Sequence, residues 1–310
     1  MLGPILFTAY VSPIGRLIGF YGINYHKYAD DTQLYKALTV NPNACINRLE
    51  SCSAGLQRWF CENDLLLNLD KSEVCFFGTR QKLRHADKPS SIKVAGCCID
   101  VCEKPKILGV TPDSTLTFED HINGVVRSCN FHIRALRHIR RHLTREVANT
   151  VACSIAGTRI DYCNGLFYGA SEKYLEKLQR LHNKHARVMT NTGLRDYHSV
   201  DLLHELHWLP IRSWISFNVA TLCRRALNNG LPTYLASKLI PYRPTRSLRS
   251  SDQDLLQEPS CRTKTGARRF SCSAPTVWNS MPRTLLDVQT ISAFKTRLKT
   301  CLFDSTSVTK

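Results

Sequence analysis

Asp30 and Asp31 stand side by side in the run Ile23-Asn24-Tyr25-His26-Lys27-Tyr28-Ala29-Asp30-Asp31-Thr32-Gln33-Leu34-Tyr35, with apolar or aromatic residues recurring at period two on both sides. That alternation predicts two short strands joined by a tight turn, with both carboxylates at its tip. Such a pair suits magnesium-dependent phosphoryl transfer, because the small, hard cation takes oxygen ligands and keeps part of its coordination shell for substrate phosphates. Taken alone, an Asp-Asp dipeptide is more commonly a solvated turn whose side chains bond their own backbone. The choice between the two readings rests on the surrounding chain.

Holding such a tip in place requires a sheet and something packed on it. Asn41 and Pro42 form a cap and first-turn pair, and Cys45, Leu49, Cys52, Leu56, Trp59 and Phe60 recur at helical spacing. They predict an amphipathic helix lying on the sheet that carries the hairpin. Leu65 to Leu69, Val74 to Phe77, Ile92 to Ala95 and Ile107 to Val110 read as further strands, around a polar stretch from Gln81 to Ser91. The opening Ile5 to Val11 reads as a buried helix, since it lacks both a basic leading segment and a small-residue cleavage site. Residues 1–115 are therefore expected to form an α+β unit.

From about residue 116 the pattern turns helical. Val125 to Val151 reads as one helix, with Ile133, Leu136, Ile139, Leu143 and Val147 on one face and Arg134, Arg137, His138, Arg141 and Arg145 on another. Ser171 to Met189 repeats the theme with a stripe of Lys173, Lys177, Arg180, Lys184 and Arg187. A stripe of this kind is ordinarily a solvated face. Here the 6 arginines between residues 121 and 150 meet one acidic residue, Glu146, so intrahelical pairing does not neutralise them and phosphate tracking stands as the alternative. Residues 116–190 are expected to form a basic helical unit. Residues 191–310 follow as a helical C-terminal region with a basic loop at 241–270, where 7 basic and 3 acidic residues lie among Pro, Ser and Thr.

Charge agrees with a polyanionic partner. The 310 residues carry 42 Lys plus Arg against 25 Asp plus Glu, a formal net charge of +17, which favours phosphate backbones through counterion release. Residues 1–70 hold 5 basic and 6 acidic side chains, so the excess lies beyond the carboxylate hairpin. The field around the aspartates thus suits cations, while later segments suit the polymer. The 14 cysteines are irregularly spaced with no CxxC pair, and read as reduced, buried small hydrophobes rather than a disulfide framework or a zinc site. His138 with His142, and His182 with His185, lie one helical turn apart without an HExxH glutamate and read as exposed or capping histidines, while His204 and His207 read as packing. Hydrolase, P-loop and dinucleotide fingerprints are lacking, and no apolar stretch is long enough to span a membrane.

The run Tyr28-Ala29-Asp30-Asp31 resembles the YADD box of reverse transcriptases, and further blocks follow in order. Leu2-Gly3-Pro4-Ile5-Leu6-Phe7 resembles the end of the preceding family block. Trp59, Asn63 to Glu73, and Lys106-Ile107-Leu108-Gly109-Val110 with Phe118, His121 and Ile122 resemble the next two. Asp161-Tyr162-Cys163-Asn164, Leu178-Gln179-Arg180, Leu206 to Ile211, and Ala274-Pro275 with Trp278-Asn279 resemble the tail that follows the polymerase blocks. The resemblance is to non-LTR (LINE-type, jockey-like) retrotransposon polymerases and covers nearly the whole chain.

That resemblance implies a partial polymerase palm in residues 1–115 and a helical, thumb-like segment in 116–190, acting in RNA-templated DNA synthesis. Its partners would be an RNA template, a DNA primer or target and deoxynucleotides, with Mg2+ as cofactor and an intracellular location, nuclear or cytoplasmic. Asp30 matches the principal metal ligand and Asp31 its less direct companion. Tyr28 would support the strand, and Lys71 would neutralise or protonate the leaving phosphate, its alternative being a surface lysine in a turn. The family's first metal-binding Asp, its fingers and the Gln-Gly opening the LGP block do not appear. The chain is therefore expected to be a fragment or a gene model begun internally, poorly soluble, binding nucleic acid without polymerising. A non-catalytic retroelement remnant and a pseudogene product are the alternatives.

Overall fold

The computed structural model describes residues 2–38, 41–193, 196–243 and 255–307. The architecture is α+β, with two antiparallel two-stranded sheets set among helices. The chain divides into two compact units, Met1–Ile107 with Asp113–Thr115, and Leu108–Pro112 with Leu116–Lys310.

The first unit runs α1 (Gly3–Tyr10), α2 (Ile14–Phe20), β1 (Asn24–Tyr28), β2 (Asp31–Tyr35), α3 (Pro42–Glu62), a 3-10 turn (Leu69–Lys71), α4 (Arg80–His85), β3 (Ser91–Val94) and β4 (Cys97–Asp100). Helix α3 starts where the sequence marks it: the Asn41 side chain accepts the Ala44 N–H at 3.1 Å and Pro42 occupies the first position. Ile14, Ile18, Ile23, Cys52 and Leu56 form the buried centre, with Leu34 of β2 and Trp59 and Phe60 of α3 packed against it. Hairpin, α2 and α3 thus share one core. Gly15 permits the close approach of α2 to β1, because a methyl group there would overlap the Tyr25 hydroxyl.

Strands β3 and β4 are joined through Ala95 and Gly96, both at positive φ (52° and 86°), as a two-residue hairpin of matching twist requires. Their attachment to α3 is polar. Ser53 Oγ accepts the Ala95 N–H at 3.1 Å, and Glu50 accepts the Lys93 N–H at 2.9 Å.

Several expected strands do not form. Leu65 to Leu69 has no strand partner among the described residues, and Leu66 is 89% exposed. Val74 makes a single bridge to Val101. Ile107 to Val110 turns instead of extending, because Leu108 and Gly109 both have positive φ (47° and 80°). The opening helix forms as α1 but is not buried: Leu2, Ile5 and Leu6 are exposed, and its lateral tie is the Tyr10 hydroxyl donating to the Asn63 carbonyl at 2.8 Å.

The second unit comprises α5 (Glu119–Ile139), α6 (Arg145–Ala152), α7 (Thr158–Asp161), α8 (Glu172–Thr190), α9 (Ser199–Glu205), α10 (Ile211–Asn229), α11 (Thr233–Ala236), α12 (Lys264–Ala267), α13 (Phe270–Asn279), α14 (Arg283–Leu286) and α15 (Ile291–Ser307). One core gathers Ile122, Ile133, Leu136, Leu178, Met189 and Ile215, a second gathers Val219, Cys223, Trp278, Phe294 and Leu298, and a small third joins Ala186 to Leu202 and Leu203. Helix α10 supplies residues to the two larger cores and is the spine of the unit.

Val125 to Val151 is not one helix. Arg140 donates to the Met189 carbonyl from Nε (2.9 Å) and Nη2 (2.7 Å) and to the Leu143 carbonyl from Nη1 (3.1 Å). This ties a bend to the end of α8, and the Thr144 hydroxyl then caps α6. Ile139 and Val147 consequently lie exposed instead of lining a continuous apolar face.

Residues 244–254 of the expected basic loop lie outside the described residues. Its later part is anchored. Arg268 donates to the carbonyls of Leu116 (2.7 Å), Leu166 (3.1 Å) and Tyr168 (3.2 Å) and lies over the Phe118 ring. Its guanidinium is thus engaged within the fold.

Candidate metal and nucleic-acid sites

The carboxylate hairpin forms with Tyr28 paired to Asp31 across its end, so Ala29 and Asp30 make the two-residue turn. Ala29 takes the left-handed conformation (φ 52°) that starts it. Both aspartates are exposed at the tip. The nearby cations are engaged elsewhere: Lys27 Nζ donates to the Val11 carbonyl at 2.9 Å, and Lys36 Nζ donates to the Gly22 carbonyl. Burial also holds the Lys27 amine below its ordinary pKa. Among the described residues no ion pair occupies Asp30 or Asp31.

Their carboxylate oxygens are of the type magnesium prefers, so the pair fits part of a magnesium donor set. It is not a complete cage, for among the described residues no three His, Cys, Asp or Glu side chains converge as ligands. Water or phosphate oxygens would have to supply the remaining positions. Lys71 closes the 3-10 turn and is exposed, and no hydrogen bond or ion pair joins it to the hairpin.

The basic stripes are only partly available. Lys177 Nζ donates to Asn123 Oδ1 at 2.5 Å and Lys184 Nζ to Asn130 Oδ1 at 2.8 Å. Each pair spans 54 residues, so α5 and α8 run parallel with two lysines stitched along the seam. Arg187 binds the Gly193 and Tyr197 carbonyls and Ser199 Oγ, closing the connection to α9. Arg145 pairs with Glu205 at 2.5 Å, and Arg141 contacts His142 at 3.0 Å. Arg180 keeps a loose pair with Glu176 at 3.6 Å, and Lys173 lies against Tyr174.

Arg134 and Arg137 are exposed on α5 with no acidic partner among the described residues. Arg127, which is not part of the sequence-predicted stripe, is also exposed and lies seven residues before Arg134, hence on the same helical face. Phe131, 69% exposed, sits between them. The asparagine bridges set Asn123 level with Lys177 and Asn130 level with Lys184, so Arg127 lies level with Arg180 of α8, Lys173 lies toward one end of this face, and Arg134 and Arg137 toward the other. The result is a two-helix basic surface with one exposed aromatic, chemistry suited to backbone contact with a polyanion.

His182 and His185 are neither exposed nor caps. Their exposures are 2% and 1%, and they pack on Trp208, with ring centroids at 5.3 Å for His182 and 4.7 Å for His185. His182 Nε2 meets the Leu209 carbonyl at 3.2 Å, whereas neither ring nitrogen of His185 has a hydrogen-bond partner among the described residues. Burial pushes the pKa of His182 down to about 4 and that of His185 to about 3, the latter also opposed by its histidine neighbour. Both are neutral, packed rings at neutral pH. His204 and His207 pack edge-on to Phe303.

The motifs after the hairpin are largely ties within the fold. Gln179 Oε1 accepts the Ile211 N–H at 2.8 Å at the start of α10. Asn218 donates to Asp161 (2.7 Å) and Asn164 (2.8 Å). Asn279 both accepts from and donates to the Leu256 backbone, at 2.9 and 2.8 Å. No helix among the described residues is long and apolar enough to cross a membrane.

Compared with known proteins, the chain matches no family model and no solved structure. It is similar to a Drosophila melanogaster protein described as "Probable RNA-directed DNA polymerase from transposon BS", 24% identical over 266 residues, which is 80% of this chain and 28% of that protein. The chain thus spans 28% of the length of the curated relative it matches. This likeness supports a reverse-transcriptase-like sequence and does not separate one group of transposons from another.

Proposed function

We propose that this chain is part of an RNA-directed DNA polymerase of the non-LTR, jockey-like kind. In this reading Asp30 and Asp31 are metal ligands, and the paired faces of α5 and α8 hold the template–primer duplex. The observation that carries it is the carboxylate hairpin, in register and open at its tip, within a chain similar to a transposon polymerase over 80% of its length.

Asp30 and Asp31 would hold a magnesium ion, which would supply a Lewis acid for the primer hydroxyl and the leaving phosphate. Tyr28, paired to Asp31, fixes the strand end. Lys71 is proposed to meet the leaving phosphate once substrate is in place. Arg127, Arg134 and Arg137, with Lys173 and Arg180, contact backbone phosphates; A-form and hybrid duplexes are held by shape and phosphate rather than by base edges. Template RNA, primer DNA and deoxynucleotides are the proposed partners.

A second reading, nucleic-acid binding without catalysis, is favoured by one observation: the described residues supply two adjacent carboxylates and no third convergent donor. Under it the basic surface acts and the hairpin does not.

Both readings require α5 to bind phosphates. In anisotropy titrations of the chain with an RNA–DNA hybrid, Arg134→Ala with Arg137→Ala is expected to flatten the slope of log K against log salt by about 1.8, or about 0.9 for each phosphate no longer neutralised. Arg145→Ala, whose side chain is engaged by Glu205, is expected to leave the slope unchanged. Equal losses in both variants would remove α5 from the interface.

A further inference from the structure

The second unit holds a thiol pair for which the proposed function has no use. Cys261 and Cys272 lie 11 residues apart, and their Sγ atoms approach to 2.8 Å, within about 0.8 Å of a disulfide bond. Cys272 is buried in the first turn of α13, and Cys261 is half-buried. Arg269 donates from Nε to Cys272 Sγ at 3.1 Å, and the Pro259 carbonyl lies 3.7 Å from Cys261 Sγ and 3.9 Å from Cys272 Sγ.

Burial pushes the Cys272 thiol up, but the hydrogen bonds from Cys261 and Arg269 and the guanidinium charge outweigh it, so the thiol sits below its ordinary value. Its place at a helix N-terminus acts in the same direction. Cys75 in the first unit shows the opposite case. Burial, Cys102 and then the carboxylates of Glu73 and Asp113 push it up to about 12, which keeps it protonated.

We propose that Cys272 and Cys261 form a peroxide-reactive dithiol that closes into an intramolecular disulfide, with Arg269 positioning and stabilising the Cys272 thiolate. The thiolate attacks one peroxide oxygen: an S–O bond forms, the O–O bond breaks, and hydroxide leaves and takes up the proton that Cys272 released. Cys261 then attacks the sulfenic sulfur. An S–S bond forms, the S–O bond breaks, and the departing oxygen carries off the Cys261 proton as water. Two thiols and one hydrogen peroxide become one disulfide and two waters. The bridge fastens the segment containing α12 and Arg268 to α13. This proposal is independent of the polymerase reading.

The test is titration of the full chain with hydrogen peroxide, followed by alkylation of remaining thiols and peptide mass spectrometry. The Cys261–Cys272 linked peptide pair is expected to appear before exposed Cys97 or Cys98 is modified, and to vanish on treatment with a dithiol reductant. Arg269→Gln is expected to slow its formation several-fold, and Cys261→Ser to leave a sulfenic acid at Cys272 that a dimedone probe captures. Both cysteines remaining alkylatable while other thiols oxidise would overturn the proposal. Unchanged kinetics in Arg269→Gln would overturn the role of the arginine.

Discussion

Asp30→Asn is expected to lower template-directed DNA synthesis about a thousandfold or more, measured in a complete polymerase polypeptide that carries this segment. The substitution keeps the shape of the turn and removes one anionic oxygen from the cation. Loss of a metal's charge stabilisation at the reacting phosphate is worth several kcal/mol, and about 4 kcal/mol corresponds to three orders of magnitude in rate. The hairpin should survive the change, because Asp30 sits in a two-residue turn where asparagine is favoured and its side chain is exposed. Asp31→Asn should cost less, in keeping with a less direct ligand. Primer extension with wild-type and variant proteins at matched duplex affinity reads the difference, and equal rates would detach the hairpin from the chemistry.

The second large effect is on stability in acid. His182 and His185 are buried as neutral rings with pKa values pushed to about 4 and about 3, while an unfolded chain takes up their protons near pH 6.5. The folded state therefore binds fewer protons than the unfolded state between those limits, and stability falls as pH is lowered from about 6.5 toward 4. Between pH 7 and pH 5 the loss amounts to about 2 kcal/mol per histidine, about 4 kcal/mol for the pair. Replacing both by phenylalanine keeps an aromatic ring against Trp208 and removes the titration. Urea unfolding followed by Trp fluorescence at pH 7 and pH 5 should show the wild-type chain losing about that much more than the double variant. Parallel losses would mean that the two imidazoles are hydrated and already titrate normally.

The hairpin was legible because three local signals coincide: period-two alternation, a short turn and an apolar Leu34 that seats on the helix behind it. Helix α3 was legible from Asn41 and Pro42, which act within one turn of themselves. The basic surface was legible only in part. Lys177 and Lys184 share a stripe with Arg180, yet their ammonium groups meet Asn123 and Asn130, 54 residues away, and a stripe carries no information about what lies opposite it. Arg127 was missed although its seven-residue spacing to Arg134 was visible. The buried histidines were misread for the same reason, because their apolar partner Trp208 arrives from a later segment. Strand β4 left a local clue, Gly96 after Ala95, while Ile107 to Val110 misled because its apolar run conceals a left-handed Leu108.

The central claim is that Asp30 and Asp31 bind a catalytic divalent cation. Its most direct test is manganese-induced relaxation of the backbone amide resonances of the isotopically labelled chain, with an RNA–DNA hybrid and a deoxynucleotide present. Selective broadening centred on Tyr28 to Thr32, strengthened by the nucleotide and lost in Asp30→Asn, is the predicted result. Broadening elsewhere, or broadening at the tip that persists in Asp30→Asn, would contradict it.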